Sequence, residues 1–321
     1  MTLPIIWHPQ YVAPLRVGHP FPMSKYGYLR QALEDRGLMT PGAWIAPAPL
    51  GPRQIALAHD LGYVERVLSG ALAPEETRRI GLPATEAVAL RARLSNAGTL
   101  LAARFALDQG LALNAAGGAH HAGPDYGSGY CVFNDVAVAA ASLLAEGQVR
   151  RVLVVDCDVH QGDGTARVFE DDPRVFTFSL HAAKNFPARK AVSDLDLALP
   201  DGTGDEAYLA ALQDGLSQAM ERAKADIAFY NAGVDPWEGD RLGRLALSLT
   251  GLRRRDRLVL ETLRAAGLPV GRARLRRARP SRPHSRVVGG VRRVGPADRQ
   301  ASCNASTAAM KASPRFSKFG N

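Results

Sequence analysis

The residues best suited to chemistry lie in one short stretch, residues 156–165, with the sequence DCDVHQGDGT. It follows an apolar run, VLVV at 152–155, and this pattern predicts a buried strand that ends in carboxylates and an imidazole. Asp158 and His160 are two residues apart, so in extended backbone their side chains share a face and can reach one metal ion. The alternative is an acidic turn in which His160 is exposed to solvent.

A third candidate ligand, Asp235, follows a later predicted strand, residues 226–231. With Asp158 and His160 it makes a three-ligand site for a divalent ion. Three protein ligands with a fourth position open to water are typical of catalytic Zn²⁺, and an oxygen-rich ligand set also accepts Fe²⁺ or Co²⁺. Such an ion lowers the pKa of a bound water to about 7, which makes the water a nucleophile.

Two adjacent histidines, His120 and His121, supply the proton chemistry that such a water needs. One imidazole can accept the proton of the water while its neighbour holds or donates one. Asp156 and Asp163 are placed to accept the N–H on the far side of each ring and so fix its tautomer. The pattern predicts a metal-dependent hydrolase of a carbonyl substrate, with these four residues as catalytic groups.

The elements that position these residues follow from hydrophobic periodicity and turn signals. Predicted strands cover residues 3–7, 111–115, 152–155, 175–180 and 226–231. Predicted helices cover residues 25–36, 54–68, 85–108, 136–146, 165–169, 205–223 and 256–266. This alternation predicts an α/β fold with a mostly parallel sheet and helices on both faces.

Polar clusters follow four of the predicted strands. They are His120 with His121, Asp158 with His160, His181, and Asp235. Parallel strands bring their carboxyl ends to one edge of the sheet, where open α/β sheets place their active sites. Convergence of four clusters argues against a solvated turn. We expect His181 to be structural, and likewise the His59 and Tyr63 pair in the second predicted helix.

Four motifs resemble the series found in the histone deacetylase superfamily, and they occur in the same order. They are GGAHHA at 117–122, GYCVFND at 129–135, DxDxHxGxGT at 156–165 and NAGVD at 231–235. The stretch DPWEGDRLG at 235–243 is most similar to the class IV type and its bacterial relatives. The resemblance extends over residues 3–269.

The resemblance implies a three-layer, arginase-like α/β fold that hydrolyses the amide of an N-acyl lysine or an acylated polyamine. It implies zinc on Asp158, His160 and Asp235, with His120 and His121 as the acid/base pair. It further implies that Gly129 and Tyr130 line a narrow channel for the acyl-lysine stem. Family members often bind a structural monovalent cation, here K⁺, through Asp156, Asp158, His160, Ser179 and Leu180.

The composition indicates a globular protein in a reducing, cytoplasmic setting. The three cysteines, Cys131, Cys157 and Cys303, form no CxxC pair, so neither a disulfide framework nor a thiolate zinc site is expected. The first residues lack a basic segment with a long apolar core, which argues against a signal peptide. No apolar run reaches the roughly 20 residues that a membrane span needs.

The net charge of +9 is concentrated at the C-terminal end of the chain. Residues 268–321 hold 13 of the 40 Lys and Arg residues and one of the 31 Asp and Glu residues. We therefore predict a deacetylase-like domain over residues 1–270 and a basic, disordered tail over 271–321. An arginine-rich segment from Gly271 onward is not expected in the middle of a parallel sheet, because buried unpaired guanidinium groups are costly. The abrupt change suggests a shifted reading frame or an aberrant C-terminus.

The resemblance also fails at one point, because the family places a catalytic tyrosine after a glycine-rich turn beyond the last helix. This chain has no tyrosine after Tyr230, and Val291 follows the glycine pair at 289–290. Loss of one such donor costs about 10²–10³ in rate. The alternative function is therefore a weak or inactive acyl-lysine-binding protein. Nucleic acid is not the expected partner, because the arginines of the tail lack interleaved aromatic residues.

Overall fold

The computed structural model describes residues 3–273 of the chain. Within them the strands are β1 (Ile5–Ile6), β2 (Leu111–Asn114), β3 (Val152–Asp156), β4 (Val175–Ala182), β5 (Leu195–Leu199), β6 (Ile227–Asn231) and β7 (Val270–Ala273). The helices are α1 (Lys25–Glu34), α2 (Pro52–Ile55), α3 (Leu61–Ser69), α4 (Pro74–Ile80), α5 (Glu86–Gln109), α6 (Asp135–Ala145), α7 (Asp163–Val168), α8 (Asp205–Ala223) and α9 (Leu249–Ala265). A 3₁₀ turn spans Pro9–Tyr11.

The strands of this part form one parallel sheet in the order β1-β2-β7-β6-β3-β4-β5. Successive side chains of β3 enter different cores: Val152 and Val154 pack with α5 and α6, and Leu153 and Val155 pack with α8 and α9. Both faces of the sheet are therefore covered. The predicted three-layer α/β architecture is confirmed.

Strand β7 corrects one expectation from the sequence. Its residues Val270–Ala273 pair with β2 on one side and β6 on the other, so the strand lies in the middle of the sheet. The expectation that no strand forms from Gly271 onward is wrong. The expected penalty concerned arginine side chains, whereas sheet pairing is made by the backbone, and here both neighbours offer a complete row of partners.

Gly271 suits this position because a helix crosses closely behind it. A Cβ at Gly271 would already lie 3.4 Å from the Cα of Ala103 in α5. The described sheet therefore extends three residues past the domain boundary expected at residue 270. Residues 274–321, which include most of the predicted tail, lie outside the described residues, and the tail stays a prediction.

Several boundaries differ from those expected. The helix predicted over 54–68 is two helices, α2 and α3, with His59 in the turn between them. The last helix begins at Leu249 rather than at Asp256, because Ser248 caps it by accepting a hydrogen bond from the N–H of Gly251 at 2.9 Å. Helix α4 and strand β5 were not expected.

No helix among residues 3–273 combines the length and apolar character that crossing a bilayer requires.

Candidate active site

The loop between β2 and α6 carries the two adjacent histidines, and a buried carboxylate fixes it. Asp135, in the first turn of α6, accepts hydrogen bonds from the N–H groups of Gly118 at 3.1 Å and Ala119 at 2.7 Å. Its Oδ2 also accepts from the Thr99 hydroxyl at 2.5 Å. Gly117, with φ of 91°, passes so close to Asp135 that no side chain fits there. The backbone is therefore rigidly held just before His120.

The two histidines each meet the aspartate expected from the sequence. His120 Nδ1 lies 2.6 Å from Asp156 Oδ2, and His121 Nδ1 lies 2.6 Å from Asp163 Oδ1. All four side chains are buried, and the two rings are 4.1 Å apart between centroids. When Nδ1–H donates to the carboxylate, Nε2 of a neutral ring is left as a proton acceptor.

The protonation state of His121 suits a proton acceptor. Burial, followed by the proximity of His120, lowers the pKa of His121 to about 4, although Asp163 acts in the opposite direction. At neutral pH the ring is therefore uncharged and can accept a proton at Nε2.

Asp158, His160 and Asp235 come together at the carboxyl ends of β3 and β6. Each offers a ligand atom, and these atoms lie within 4.8 Å of one another. His160 Nδ1 is 3.0 Å from Asp158 Oδ1 and 3.8 Å from Asp235 Oδ2. Burial lowers the pKa of His160, but the hydrogen bond to Asp158 and the charges of Asp158 and Asp235 outweigh burial and raise it.

The donor set fits a divalent ion. Two buried carboxylates and one imidazole present negative charge and compatible ligand atoms at one point, which a divalent cation would neutralise. His120 Nε2 is 3.8 Å from Asp158 Oδ1, so the histidine pair borders this cluster. Burial raises the pKa of the Cys157 thiol to about 12, so the cysteine next to Asp158 is protonated at neutral pH and does not supply a thiolate.

A hydrogen bond from a backbone N–H to a ligand carboxylate joins the two ligand-bearing loops. The N–H of Val159 donates to Asp235 Oδ1 at 3.1 Å, and the N–H of Asp158 donates to Asp156 Oδ1 at 3.0 Å. The side-chain amide of Asn231 donates to Asp156 Oδ1 at 2.9 Å. One network therefore positions the metal ligands and the carboxylate that holds His120.

Comparison with known proteins decides the family. Residues 19–270 match the family described as Histone deacetylase domain. The chain belongs to the histone deacetylase family. It is 48% identical over 270 residues to an uncharacterized protein of Picosynechococcus sp., a match that covers 84% of this chain and 90% of that protein. It is 29% identical over 262 residues to histone deacetylase 2 of Arabidopsis thaliana, covering 78% of this chain and 67% of that protein.

The fold agrees with this assignment. A crystal structure of an HDAC homolog from Aquifex aeolicus matches with a TM-score of 0.72 and 24% identity, over 85% of this chain and 79% of that chain. The family and the arginase-like fold expected from the motifs are thus confirmed. Membership in the histone deacetylase family supports deacetylase-type hydrolysis as the general activity.

Of the two expected channel residues, Gly129 lies beside His121, and Tyr130 follows it in the same loop. Both adopt positive φ, 55° and 66°, a conformation that is uncommon for a tyrosine. A Cβ on Gly129 would lie 2.7 Å from the His121 ring, so only glycine allows this approach. The Tyr130 ring packs 5.1 Å from that of Phe21 between centroids.

Ser179 and His181 belong to β4, which pairs with β3 on the side opposite β6. Ser179 is the registered partner of Asp156, and its hydroxyl is 3.0 Å from His181 Nδ1. His181 is almost fully buried, and burial lowers its pKa. These contacts agree with a structural role for His181. The monovalent cation at Asp156 and Ser179 stays a prediction.

Three residues at the candidate site have roles that spacing and motifs do not predict. Phe186 lies edge-on to His121, with centroids 4.9 Å apart, and it is 46% exposed. Asn231 belongs to the NAGVD motif, which gives it no role by itself, and in the structure it donates to Asp156. Arg255 was not predicted as a site residue. It lies among Leu252, Val259 and Leu263 on the buried stripe of α9. A charged residue is rare in such a position, so it indicates a specific role.

Proposed function

We propose that this chain is a metal-dependent deacylase that hydrolyses the amide of an N-acyl lysine or an acylated polyamine. The observation that carries the proposal is the cluster of Asp158, His160 and Asp235 beside two buried His–Asp pairs. The family supports amide hydrolysis in general, and the side chains at the sheet edge favour this substrate class.

Asp158, His160 and Asp235 would hold the ion, with Zn²⁺ the leading candidate and Fe²⁺ the alternative. When bound, the ion would supply Lewis-acid activation of the attacking water and of the scissile carbonyl. The two carboxylates are buried, and burial strengthens their attraction for a cation. Neither Cys131 nor Cys157 would be a ligand of the ion.

His120 and His121 would move the protons. Each ring is oriented by its carboxylate at Nδ1, so Nε2 is the atom that faces the reacting groups. The neutral His121 ring can accept the proton of the attacking water, and one of the two rings can return a proton to the leaving amine. Asp156 and Asp163 stabilise the imidazolium that forms and keep the tautomer fixed.

An aromatic and glycine wall would hold the acyl-lysine stem. Gly129 leaves room next to His121, and Phe186 stands against the same ring. An aliphatic stem between flat apolar surfaces is held without polar contacts, which matches the chemistry of a lysine side chain.

The absence of a tyrosine after Tyr230 is the observation that favours a second candidate function, a weak or inactive acyl-lysine-binding protein. A missing donor to the carbonyl lowers the rate by about 10²–10³, but it does not remove the described residues that would bind the substrate. We therefore expect slow turnover together with measurable binding.

Release of acetate from an acetyl-lysine peptide tests the proposal. We expect slow hydrolysis that a chelator abolishes and added Zn²⁺ restores, and no hydrolysis by Asp235→Asn, which keeps the size of the side chain. Binding without turnover would favour the binding protein. Neither binding nor turnover by the metal-loaded chain, or hydrolysis unaffected by the chelator, would refute the proposal.

A further inference from the structure

Arg255, in α9, is fully buried at 0% exposure. Its Nη1 donates to the carbonyl oxygen of Cys157 at 3.1 Å and to that of Gly233. Cys157 immediately precedes Asp158, and Gly233 lies two residues before Asp235. One guanidinium group therefore bonds to both of the loops that carry the carboxylates of the candidate metal site.

The remainder of the guanidinium is fixed by its neighbour in the helix. Nε and Nη2 of Arg255 donate to Asp256 Oδ1 at 3.0 and 2.7 Å. The same oxygen accepts from the hydroxyl of Tyr230 at 2.7 Å. Tyr230 belongs to β6, the strand that leads into the loop of Gly233. Because a guanidinium holds its donors in a rigid plane, these bonds set the two loops relative to α9 and to each other.

A buried arginine needs a reason, because an apolar side chain could fill the same space without the cost of removing a charge from water. Its neighbours on the buried stripe, Leu252, Val259 and Leu263, are all apolar. What an apolar residue cannot do is bond to two carbonyl oxygens at once.

We propose that Arg255 is a positioning residue for the metal site, which holds the carbonyls of Cys157 and Gly233 so that Asp158 and Asp235 meet at one ion. This inference rests on the proposed function, because the ion belongs to that proposal. Outer partners of metal ligands typically change metal affinity by about 10–100-fold. A lysine would keep the charge, but its single nitrogen could not span both carbonyls and the carboxylate of Asp256.

Titration of Co²⁺ into the metal-free full-length chain tests this role, with the visible absorption of Co²⁺ reporting on ligand geometry. We expect Arg255→Lys to bind Co²⁺ about 10–100-fold more weakly than the wild type and with an altered spectrum. The matched control is Arg91→Lys, at a buried arginine of α5 that donates to the Tyr11 carbonyl and the Tyr26 hydroxyl. We expect this control to keep the wild-type spectrum and affinity.

A second variant covers the case in which Arg255→Lys does not fold. Asp256→Asn keeps Arg255 but removes the charge that orients it, at a side chain that is 26% exposed. We expect it to bind Co²⁺ about 10-fold more weakly. Wild-type affinity and spectrum in the folded variants would overturn the positioning role alone. A wild-type chain that binds no Co²⁺ would overturn the proposed function as well.

Discussion

Gly233 lies where the two ligand-bearing loops touch. A Cβ at this position would lie 2.7 Å from the Cα of Asp158 and would also overlap its carboxylate. The Asp158 backbone cannot shift easily, because its N–H bonds to Asp156 and the preceding carbonyl bonds to Arg255. Overpacking of this kind costs about 1–3 kcal/mol.

We therefore predict that Gly233→Ala lowers the free energy of unfolding by about 1–3 kcal/mol and weakens metal binding at least about 10-fold. Urea unfolding and competition with a coloured chelator measure the two effects. Gly51→Ala is the control, since a Cβ there meets nothing within 4 Å. Metal binding by Gly233→Ala as tight as that of the control would contradict the geometry of the site.

His59 is a second residue whose environment makes a measurable prediction. Its Nδ1 lies 2.8 Å from the Gly123 carbonyl oxygen, and its Nε2 accepts from the Asn134 N–H at 2.9 Å. Burial lowers the pKa of His59 to about 4, against about 6.5 in an unfolded chain. Between these values the unfolded chain binds a proton that the folded chain excludes, so stability falls as the pH falls below 6.5.

The contribution of His59 is complete above pH 6.5, and about 2 kcal/mol of it is lost by pH 5. We predict that His59→Gln is less stable than the wild type at pH 7 but loses about 2 kcal/mol less between pH 7 and pH 5. Urea midpoints at the two pH values give this difference. An equal loss in both proteins would show that His59 is not a buried neutral ring.

At the scale of the element, β7 is the strand on which the sheet depends, because it joins β2 to β6. Val270 is fully buried between them, whereas Val17 is fully exposed. We predict that Val270→Ala lowers the free energy of unfolding by about 2 kcal/mol and that Val17→Ala changes it by less than about 0.5 kcal/mol. Equal urea midpoints for the two variants would contradict the central position of β7.

The elements with strong periodicity were predictable, and those that depend on tertiary contacts were not. Helix α8 begins and ends where the sequence indicates, and α5 is bounded by Thr85 and Gly110 as expected. Strand β5 is a half-buried edge strand with little apolar contrast. The continuation of β7 through Arg272 could not be predicted from the sequence, because the strand pairs with β2 and β6, which are distant in the sequence.

The candidate site also contains residues that the sequence predicts and residues that it does not. Asp158, His160 and Asp235 could be grouped because their spacing and the parallel sheet bring them to one edge. The pairing of each histidine with its own aspartate was also expected, and the contacts in the structure agree with it. Phe186 and Arg255 could not be predicted in this way. The conformation of a loop places Phe186 against His121, and a buried hydrogen-bond network places Arg255 beside the ligand-bearing loops.

At the scale of the whole molecule, the sheet works as a frame that brings loops from β2, β3 and β6 to one edge. The carboxylates of Asp158 and Asp235 are buried at this edge, and they would repel each other unless a cation lay between them. A frame of this kind predicts that the ion binds once per chain and that each ligand is needed.

Equilibrium dialysis of the metal-free chain against buffered Zn²⁺, followed by elemental analysis, tests this claim most directly. We predict one zinc ion per chain in the wild type and in Asp214→Asn, an exposed control in α8, and none in Asp235→Asn at the same free zinc concentration. A wild-type chain that takes up no zinc, or an Asp235→Asn chain that retains it with wild-type affinity, would contradict the account.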